Sequence, residues 1–175
     1  AVWLLARFVS LTLQEFEEIE YITFSTPEID IDMSKMLKGI GQHLGIPKTH
    51  IYVQDYKESF CQYMLFQPKE LWQYESALFY CDAQRIKAYM LRKLKVDTTH
   101  GGASFVTVDE VANAHMKELE ALYPILNEDK AKDADESFKS MIENVFEKKV
   151  ISSVYLTGEG FENKWYPNSL KVLCN

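Results

Sequence analysis

The order of apolar and polar residues along the chain predicts helices that alternate with short strands. Five stretches carry apolar residues at helical spacing: 2–18, from Asp30 or Asp32 to Gly45, from about 55 to 66, from about 107 to 123, and from about 136 to 149. Runs of β-branched and aromatic residues predict strands at 19–25, 51–53 and 151–157. A turn near Pro68 and a short helix after Pro167 complete the pattern. This alternation favours an α/β fold with a mainly parallel sheet.

One antiparallel hairpin is predicted within that sheet. Its arms are 77–80 and 85–94, and its turn lies near 82–84. The second arm alternates apolar with basic residues, so its basic side chains are expected on the solvent-facing side of a strand.

The segment after the hairpin is predicted to be a glycine-containing loop at 98–104, followed by a helix. Thr107 and Glu110 have the spacing of a capping box, which indicates a helix start. The polar, charged stretch 127–135 is interpreted as a linker.

Composition narrows the function classes. The chain has 175 residues, 47% of them hydrophobic and 13% aromatic, which permits a folded core in one domain or two small lobes. The net charge of −7 argues against a nucleic-acid partner.

No apolar run approaches the roughly 20 residues that span a bilayer, so no membrane partner is expected. Three widely spaced cysteines without a CxxC pair favour reduced thiols and a cytoplasmic location.

Two glycine-containing turns are the candidate ligand-binding elements. Thr157, Gly158, Glu159 and Gly160 follow an apolar strand, and glycines there would let the backbone approach a ligand closely. A plain tight turn between a strand and a helix explains the same residues equally well. Gly101 and Gly102 would form a phosphate-facing nest, with a flexible connection as the simpler alternative.

Asp55 is the candidate catalytic residue, at the end of one strand and the start of a helix. A carboxylate there could orient a water molecule or hold Mg²⁺ through its hydration shell. A helix N-cap requires the same residue at the same place. The four histidines share no metal-ligand spacing, so no protein metal ligand is predicted.

Taken in order, these features resemble the later part of the actin, sugar-kinase and heat-shock-chaperone ATPase superfamily. The resemblance covers nearly the whole chain and depends on the ordered set of six segments, each of which is unspecific alone: the strand 21–27, the helix-turn-strand 36–55, the connecting helix 55–65, the second phosphate hairpin 78–91, the chaperone-like loop 99–105, and the adenosine turn 154–161. It implies an actin-like (ribonuclease H-like) mixed sheet with flanking helices, incomplete at the N-terminus. Residues 1–73 would be the second half of a first lobe with its connecting helix, and 74–175 a second lobe with a helical insertion at about 97–149.

The chain departs from the family where phosphate is bound. The family's second phosphate loop has an aspartate followed by glycines, whereas 80–84 reads Tyr-Cys-Asp-Ala-Gln, without glycine and with the aspartate displaced by two positions. Tyr56, Lys57 and Glu58 replace the family's small residues after Asp55. Because positioned phosphate and metal contacts supply most of phosphoryl-transfer catalysis, little turnover is expected.

The resemblance therefore implies a cytoplasmic, bacterial pseudoenzyme fragment that serves in scaffolding or assembly, through a protein partner or self-assembly. ATP or ADP with Mg²⁺ would be a structural ligand, or no cofactor would bind. Asp55 would hold the metal-bound water, Gly101 and Gly102 the phosphate side, and 157–160 the base and ribose. Two alternatives remain: an active ATPase or sugar/acetate-type kinase when full length, and a protein-interaction module with Trp72, Tyr74 and Trp165 as its exposed patch.

Overall fold

The chain folds as two compact units. A computed structural model describes residues 2–13, 18–98, 101–116, 128–147 and 149–173. The units are Ala1–Ser59 and Phe60–Asn175. The boundary that the sequence predicts, between 73 and 74, therefore lies inside the second unit.

The described part of the chain contains helices and strands in alternation. Its α-helices are α1 (Val2–Thr12), α2 (Ile31–His43), α3 (Tyr56–Leu65), α4 (Glu128–Phe146) and α5 (Pro167–Leu173). Its strands are β1 (Ile22–Thr26), β2 (Ile51–Asp55), β3 (Glu75–Cys81), β4 (Arg85–Thr98), β5 (Gly101–His115) and β6 (Ile151–Thr157). Single 3₁₀ turns lie at Lys48–His50, Lys69–Trp72 and Glu159–Phe161.

The first unit contains a parallel pair of strands. β1 and β2 pair in register from Ile22 opposite Ile51 to Thr26 opposite Asp55. Asp30 caps α2 by accepting a hydrogen bond from the Met33 amide at 2.7 Å. Both strands and this capped helix were predicted from the sequence and are confirmed. Of the predicted helix 2–18, residues 14–17 lie outside the described residues.

The second unit is built on a four-stranded mixed sheet with the order β5-β4-β3-β6. β4 runs antiparallel to both of its neighbours, and β6 runs parallel to β3. The predicted hairpin and the predicted strand 151–157 are confirmed, and they lie side by side in one sheet.

Helices cover both faces of this sheet. On one face, Phe79 meets Phe138 of α4 edge to face, with ring centroids 5.3 Å apart. On the other face, Phe60 of α3 contacts Tyr155 with centroids 5.9 Å apart. β3 is buried over Ser76–Cys81 because both of its faces are covered. The architecture is a mixed α/β sheet with flanking helices.

Lys87 corrects the prediction that the basic side chains of the second hairpin arm face solvent. Lys87 is 3% exposed, and its ammonium lies 3.9 Å from a Glu110 carboxylate oxygen on β5. The covered second face of the sheet explains this burial. Arg92, nearer the end of the arm, is half-exposed and pairs with Glu75 at 3.2 Å.

The helix predicted from Thr107 is wrong, because Gly101–His115 forms β5. The strand is irregular: Ala88 pairs with Ala112, but Tyr89 pairs with Glu110, so Val111 is an extra residue in a β-bulge. The bulge places apolar residues at 108, 111 and 112, a spacing that resembles that of a helix. Residues 117–123 of the predicted helix lie outside the described residues.

Two neighbouring predictions also change. The charged segment 127–135 is not a linker, since α4 begins at Glu128 and directs Ala131 and Ala134 into the core. The predicted loop 98–104 instead contains the end of β4 and the start of β5, while Thr99 and His100 lie outside the described residues. Among the residues that are described, no helix has both the length and the apolar character needed to cross a bilayer.

Candidate functional site

Two turns meet at one edge of the second unit's sheet. Since β3 and β6 are parallel, their carboxyl ends lie together, with Tyr80 opposite Thr157. The hairpin turn after Cys81 and the glycine turn after Thr157 therefore become neighbours. Ligands of α/β proteins commonly bind at this edge, which makes the pair of turns the candidate site.

The two glycines of the second turn are required by contact between the turns. Gly158 has φ +102°, a conformation that suits glycine. A Cβ at Gly158 would overlap the carbonyl oxygen of Cys81, and one at Gly160 would lie 2.5 Å from the carbonyl oxygen of Asp82. The missing side chains thus let one turn pack directly on the other. This packing explains both glycines without a ligand.

Asp82 organises the hairpin turn. Its Oδ1 accepts hydrogen bonds from the backbone amides of Gln84 at 2.8 Å and Arg85 at 2.7 Å. Its own amide donates to the Arg85 carbonyl oxygen at 3.0 Å. Two amides that an anion would need are consequently bonded to a carboxylate of the same turn.

Cys81 is the buried residue beneath both turns. Its thiol donates to the Asp82 carbonyl oxygen at 3.4 Å. Burial, with the nearby negative charges of Asp82 and Glu159, raises the pKa of Cys81 to about 12. The thiol therefore stays protonated at neutral pH, and a role as a thiolate nucleophile is disfavoured.

Aromatic side chains of the core contact the glycine turn. Trp165 Nε1 donates to the Gly160 carbonyl oxygen at 2.6 Å, and the Trp165 ring stacks on Phe161. Trp165 is 3% exposed, so the prediction that it belongs to an exposed partner patch is wrong. Of the other two predicted members, Trp72 is half-buried and Tyr74 is exposed.

Thr157 and Glu159 are the exposed members of the predicted adenosine turn. Both lie at the rim of the two packed turns. They are the side chains of this turn that a ligand could reach from solvent.

Gly101 and Gly102 lie at the opposite end of the sheet. β3 accompanies β4 only as far as Leu91, and β4 and β5 then continue as a two-stranded ribbon with Gly102 opposite Asp97. Asp97 is eleven residues beyond Ile86, which pairs with Cys81. At about 3.4 Å per residue, this separation is roughly 35 Å. These glycines therefore do not share a ligand site with Gly158 and Gly160.

Asp55 lies in the first unit, at the end of β2. Its Oδ1 accepts a hydrogen bond from the Glu58 amide at 2.8 Å, and its Oδ2 is 3.6 Å from the Lys57 ammonium. Asp55 is thus the N-cap of α3, the alternative that the sequence left open.

A polar cluster that the sequence reasoning missed surrounds Asp55. Ser59 Oγ donates to the Asp55 carbonyl oxygen at 2.8 Å and lies 2.5 Å from Ser25 Oγ. The Gln54 side-chain amide donates to Ser59 Oγ at 2.8 Å. The sequence signal that could have predicted this cluster is the position of its residues. Ser25 and Gln54 lie opposite each other near the carboxyl ends of two parallel strands.

Metal ligation by the protein receives no support from the described residues, where no three His, Cys, Asp or Glu side chains come together in a group that could hold an ion. A nucleotide-bound Mg²⁺ would need few protein ligands of its own. The question of metal therefore depends on whether a nucleotide binds.

The glycine turn is thus held on the hairpin turn by packing, and the Asp82 hydrogen bonds fix the hairpin turn itself. A comparison with curated proteins finds no match to this chain. A family model described as "Family of unknown function (DUF5716) C-terminal" matches residues 1–175. The match spans the whole chain, and the protein therefore belongs to the DUF5716 C-terminal family.

Proposed function

We propose that this chain is the later portion of an actin-like protein with a degenerate nucleotide site, acting in scaffolding or assembly rather than in turnover. A nucleotide bound to it would be a structural ligand. The observation that carries the proposal is the junction of the two turns at one edge of a mixed sheet.

The arrangement of the sheet supports the actin-like part of the proposal. The resemblance requires the arms of the predicted phosphate hairpin and the strand before the adenosine turn to be adjacent, with both turns at the same edge. β3 lies between β4 and β6 in this way, and Cys81–Asp82 contacts Gly158–Gly160.

The hydrogen bonds of Asp82 support the degenerate character of the site. An anion cradle needs free backbone amides, and here the amides of Gln84 and Arg85 already donate to the Asp82 carboxylate. A phosphate would have to displace that carboxylate and would be repelled by its charge. Each hydrogen bond from an amide to a charged acceptor contributes about 1.5–3 kcal/mol, so a phosphate denied these two amides binds more weakly.

The Asp55 geometry supports the absence of turnover. One carboxylate oxygen caps α3, and the other lies near the Lys57 ammonium. Both interactions compete with a metal-bound water for the carboxylate oxygens of Asp55. Gly101 and Gly102 are not part of the site at the two turns, since they lie roughly 35 Å from Gly158 and Gly160 along the strands.

Calorimetric titration of the full-length protein tests the proposal. The ligands are adenosine and ATP with Mg²⁺, together with a thermal-shift measurement for each. Since contacts to the phosphates would contribute little binding free energy, the dissociation constants of ATP and adenosine are expected to agree within about tenfold. This is a difference of about 1.4 kcal/mol or less. Absence of heat and of any shift with either ligand would remove nucleotide from the proposal and leave only the fold.

Asp82→Asn provides the sharper comparison. An asparagine Oδ1 can still accept from the amides of Gln84 and Arg85, so the turn is retained while the charge is removed. ATP affinity is expected to stay the same or rise. Weaker ATP binding would mean that the carboxylate itself serves the nucleotide or its Mg²⁺. Glu162→Gln, at an exposed position just after the glycine turn, is the matched control for removing a carboxylate near this edge.

A further inference from the structure

Helix α1 presents an apolar stripe to its surroundings. Leu4, Phe8 and Leu11 have the spacing i, i+4, i+7, which places them on one side of the helix. They are 66%, 69% and 54% exposed. The opposite side packs on α2 and includes the buried Ala6. We call Leu4, Phe8 and Leu11 the α1 stripe.

The strands of the same unit are covered by α2 on one face, where Gly41 lies against the buried Ile51, and are open on the other. Among the described strands, β1 and β2 pair only with each other. Tyr21 stacks on His50 with ring centroids 4.3 Å apart, and both Tyr21 and Tyr52 are about half exposed, at 53% and 50%. Parallel sheets are normally covered on both faces, and a sheet of two strands is marginal by itself. The first unit therefore has an apolar stripe and one open sheet face that further protein would bury.

The family description indicates which protein supplies that cover. The match is to a C-terminal region, so a protein of this family carries additional chain before the matched part. That chain enters the first unit directly at α1, where covalent attachment gives it a high effective concentration. A patch of several large apolar side chains on one helix is typical of a surface that another segment covers.

We propose that the segment of the full-length protein preceding Ala1 packs on the α1 stripe and completes the core of the first unit. The occupant is part of the same molecule, neither a second copy nor a separate protein. The proposal is independent of nucleotide binding, since it concerns only apolar contacts in Ala1–Ser59.

Site-directed photo-crosslinking of the full-length protein tests this docking. A benzoylphenylalanine placed at Phe8 keeps an aromatic side chain in the stripe and reacts with C–H bonds in contact with it. Position 32 is the control, because Asp32 lies on α2 of the same unit and its side chain is 95% exposed.

The expected product has the mass of one chain, and its cross-linked peptide joins α1 to residues preceding Ala1. A product with the mass of two chains would show that a second copy covers the stripe and would overturn the proposal. Yields at position 8 no higher than at position 32 would also overturn it, because the stripe would then face solvent. Neither outcome requires a destabilising substitution, and neither bears on whether ATP binds.

Discussion

Gly160 lies against Cys81 so closely that a Cβ added to Gly160 would overlap the Cys81 sulfur. This contact holds the glycine turn on the hairpin turn, at the edge where the candidate site lies. The two residues are far apart in sequence, and the parallel pairing of β3 with β6 brings them together. The fold in this region therefore depends on a glycine, whether or not a ligand uses the same turn.

Gly160→Ala is expected to destabilise the second unit by about 3 kcal/mol, since the new methyl group must displace both Cys81 Sγ and the Asp82 carbonyl oxygen. Urea unfolding followed by tryptophan fluorescence, to which Trp72 and Trp165 of the second unit contribute, measures the effect. In the Cys81→Ala background the same substitution should cost about 1 kcal/mol less, because the sulfur is gone while the carbonyl remains. Equal costs in the two backgrounds would contradict the contact.

Asp135→Ala is expected to destabilise the second unit by about 3 kcal/mol or more. Asp135 is 1% exposed on α4, and its carboxylate accepts from the amides of Asn168 and Ser169, each at 2.8 Å. Removing it leaves buried donors at the start of α5 without their acceptor. Asp133→Ala, at an exposed position on the same helix, should change the free energy of unfolding by about 0.5 kcal/mol or less. Similar losses for both variants would exclude the capping role.

Cys81 is expected to make stability fall at alkaline pH. Burial raises its pKa in the folded chain to about 12, whereas an exposed thiol titrates near about 8.5. Between these values the unfolded chain has lost the proton that the folded chain retains, so the unfolded state gains from rising pH. The stabilisation is complete below about 8.5 and declines as pH approaches about 12. Free energies of unfolding measured from about pH 8 to about pH 10.5 should therefore decrease.

Cys81→Ser isolates this effect, because serine does not ionise in the same range. The variant should show a shallower decrease above about pH 8.5 than the parent chain. Alkylation provides a second readout: in the folded protein Cys81 should react more slowly than the half-buried Cys61. Parallel pH profiles, or faster labelling of Cys81, would contradict its burial beneath the turns.

Gly102→Ala is expected to leave ATP and adenosine affinities unchanged in the full-length protein. Gly102 lies roughly 35 Å along the strands from the glycine turn, too far for one nucleotide to touch both. Calorimetric titration of this variant and of Glu159→Ala with ATP and adenosine distinguishes binding at the ribbon from binding at the glycine turn. A loss of affinity in Gly102→Ala alone would place the ligand at the ribbon.

Much of the local structure follows from the sequence. Residue pattern alone was enough to predict three elements, because no neighbouring residue points to a different structure. These are the cap at Asp30, the hairpin with its turn near Asp82, and the strand Ile151–Thr157. The side-by-side arrangement of the hairpin and this strand was an expectation of the resemblance alone, and the strand order β5-β4-β3-β6 shows it.

β5 and the start of α4 could not be predicted in this way. The bulge at Val111 interrupts the alternation of β5, so that its apolar residues mimic a helix beginning at a capping box. At the start of α4 the inward-facing residues are Ala131 and Ala134, whose small side chains give little apolar signal among the surrounding charges. In both segments, long-range packing determines the structure.

The candidate site was predictable as a set of residues but not as a geometry. Gly101 stands at the start of an apolar strand, and Gly158 follows one. The local sequence cannot show that the antiparallel register of β4 and β5 places these two glycines at opposite ends of the sheet. Nor can it show that Asp82 directs its carboxylate to the amides of its own turn. These relationships arise from strand register and turn conformation.

Steady-state phosphate release from ATP by the full-length protein, with Mg²⁺ present, decides whether this protein turns nucleotide over. Release is expected to be no faster than in the protein-free control, for the parent protein and for Asp55→Asn alike, because the Asp82 carboxylate already accepts from the amides that the proposal would assign to phosphate, and Asp55 caps α3. Clear turnover in the parent that Asp55→Asn abolishes would contradict it and would establish an active ATPase.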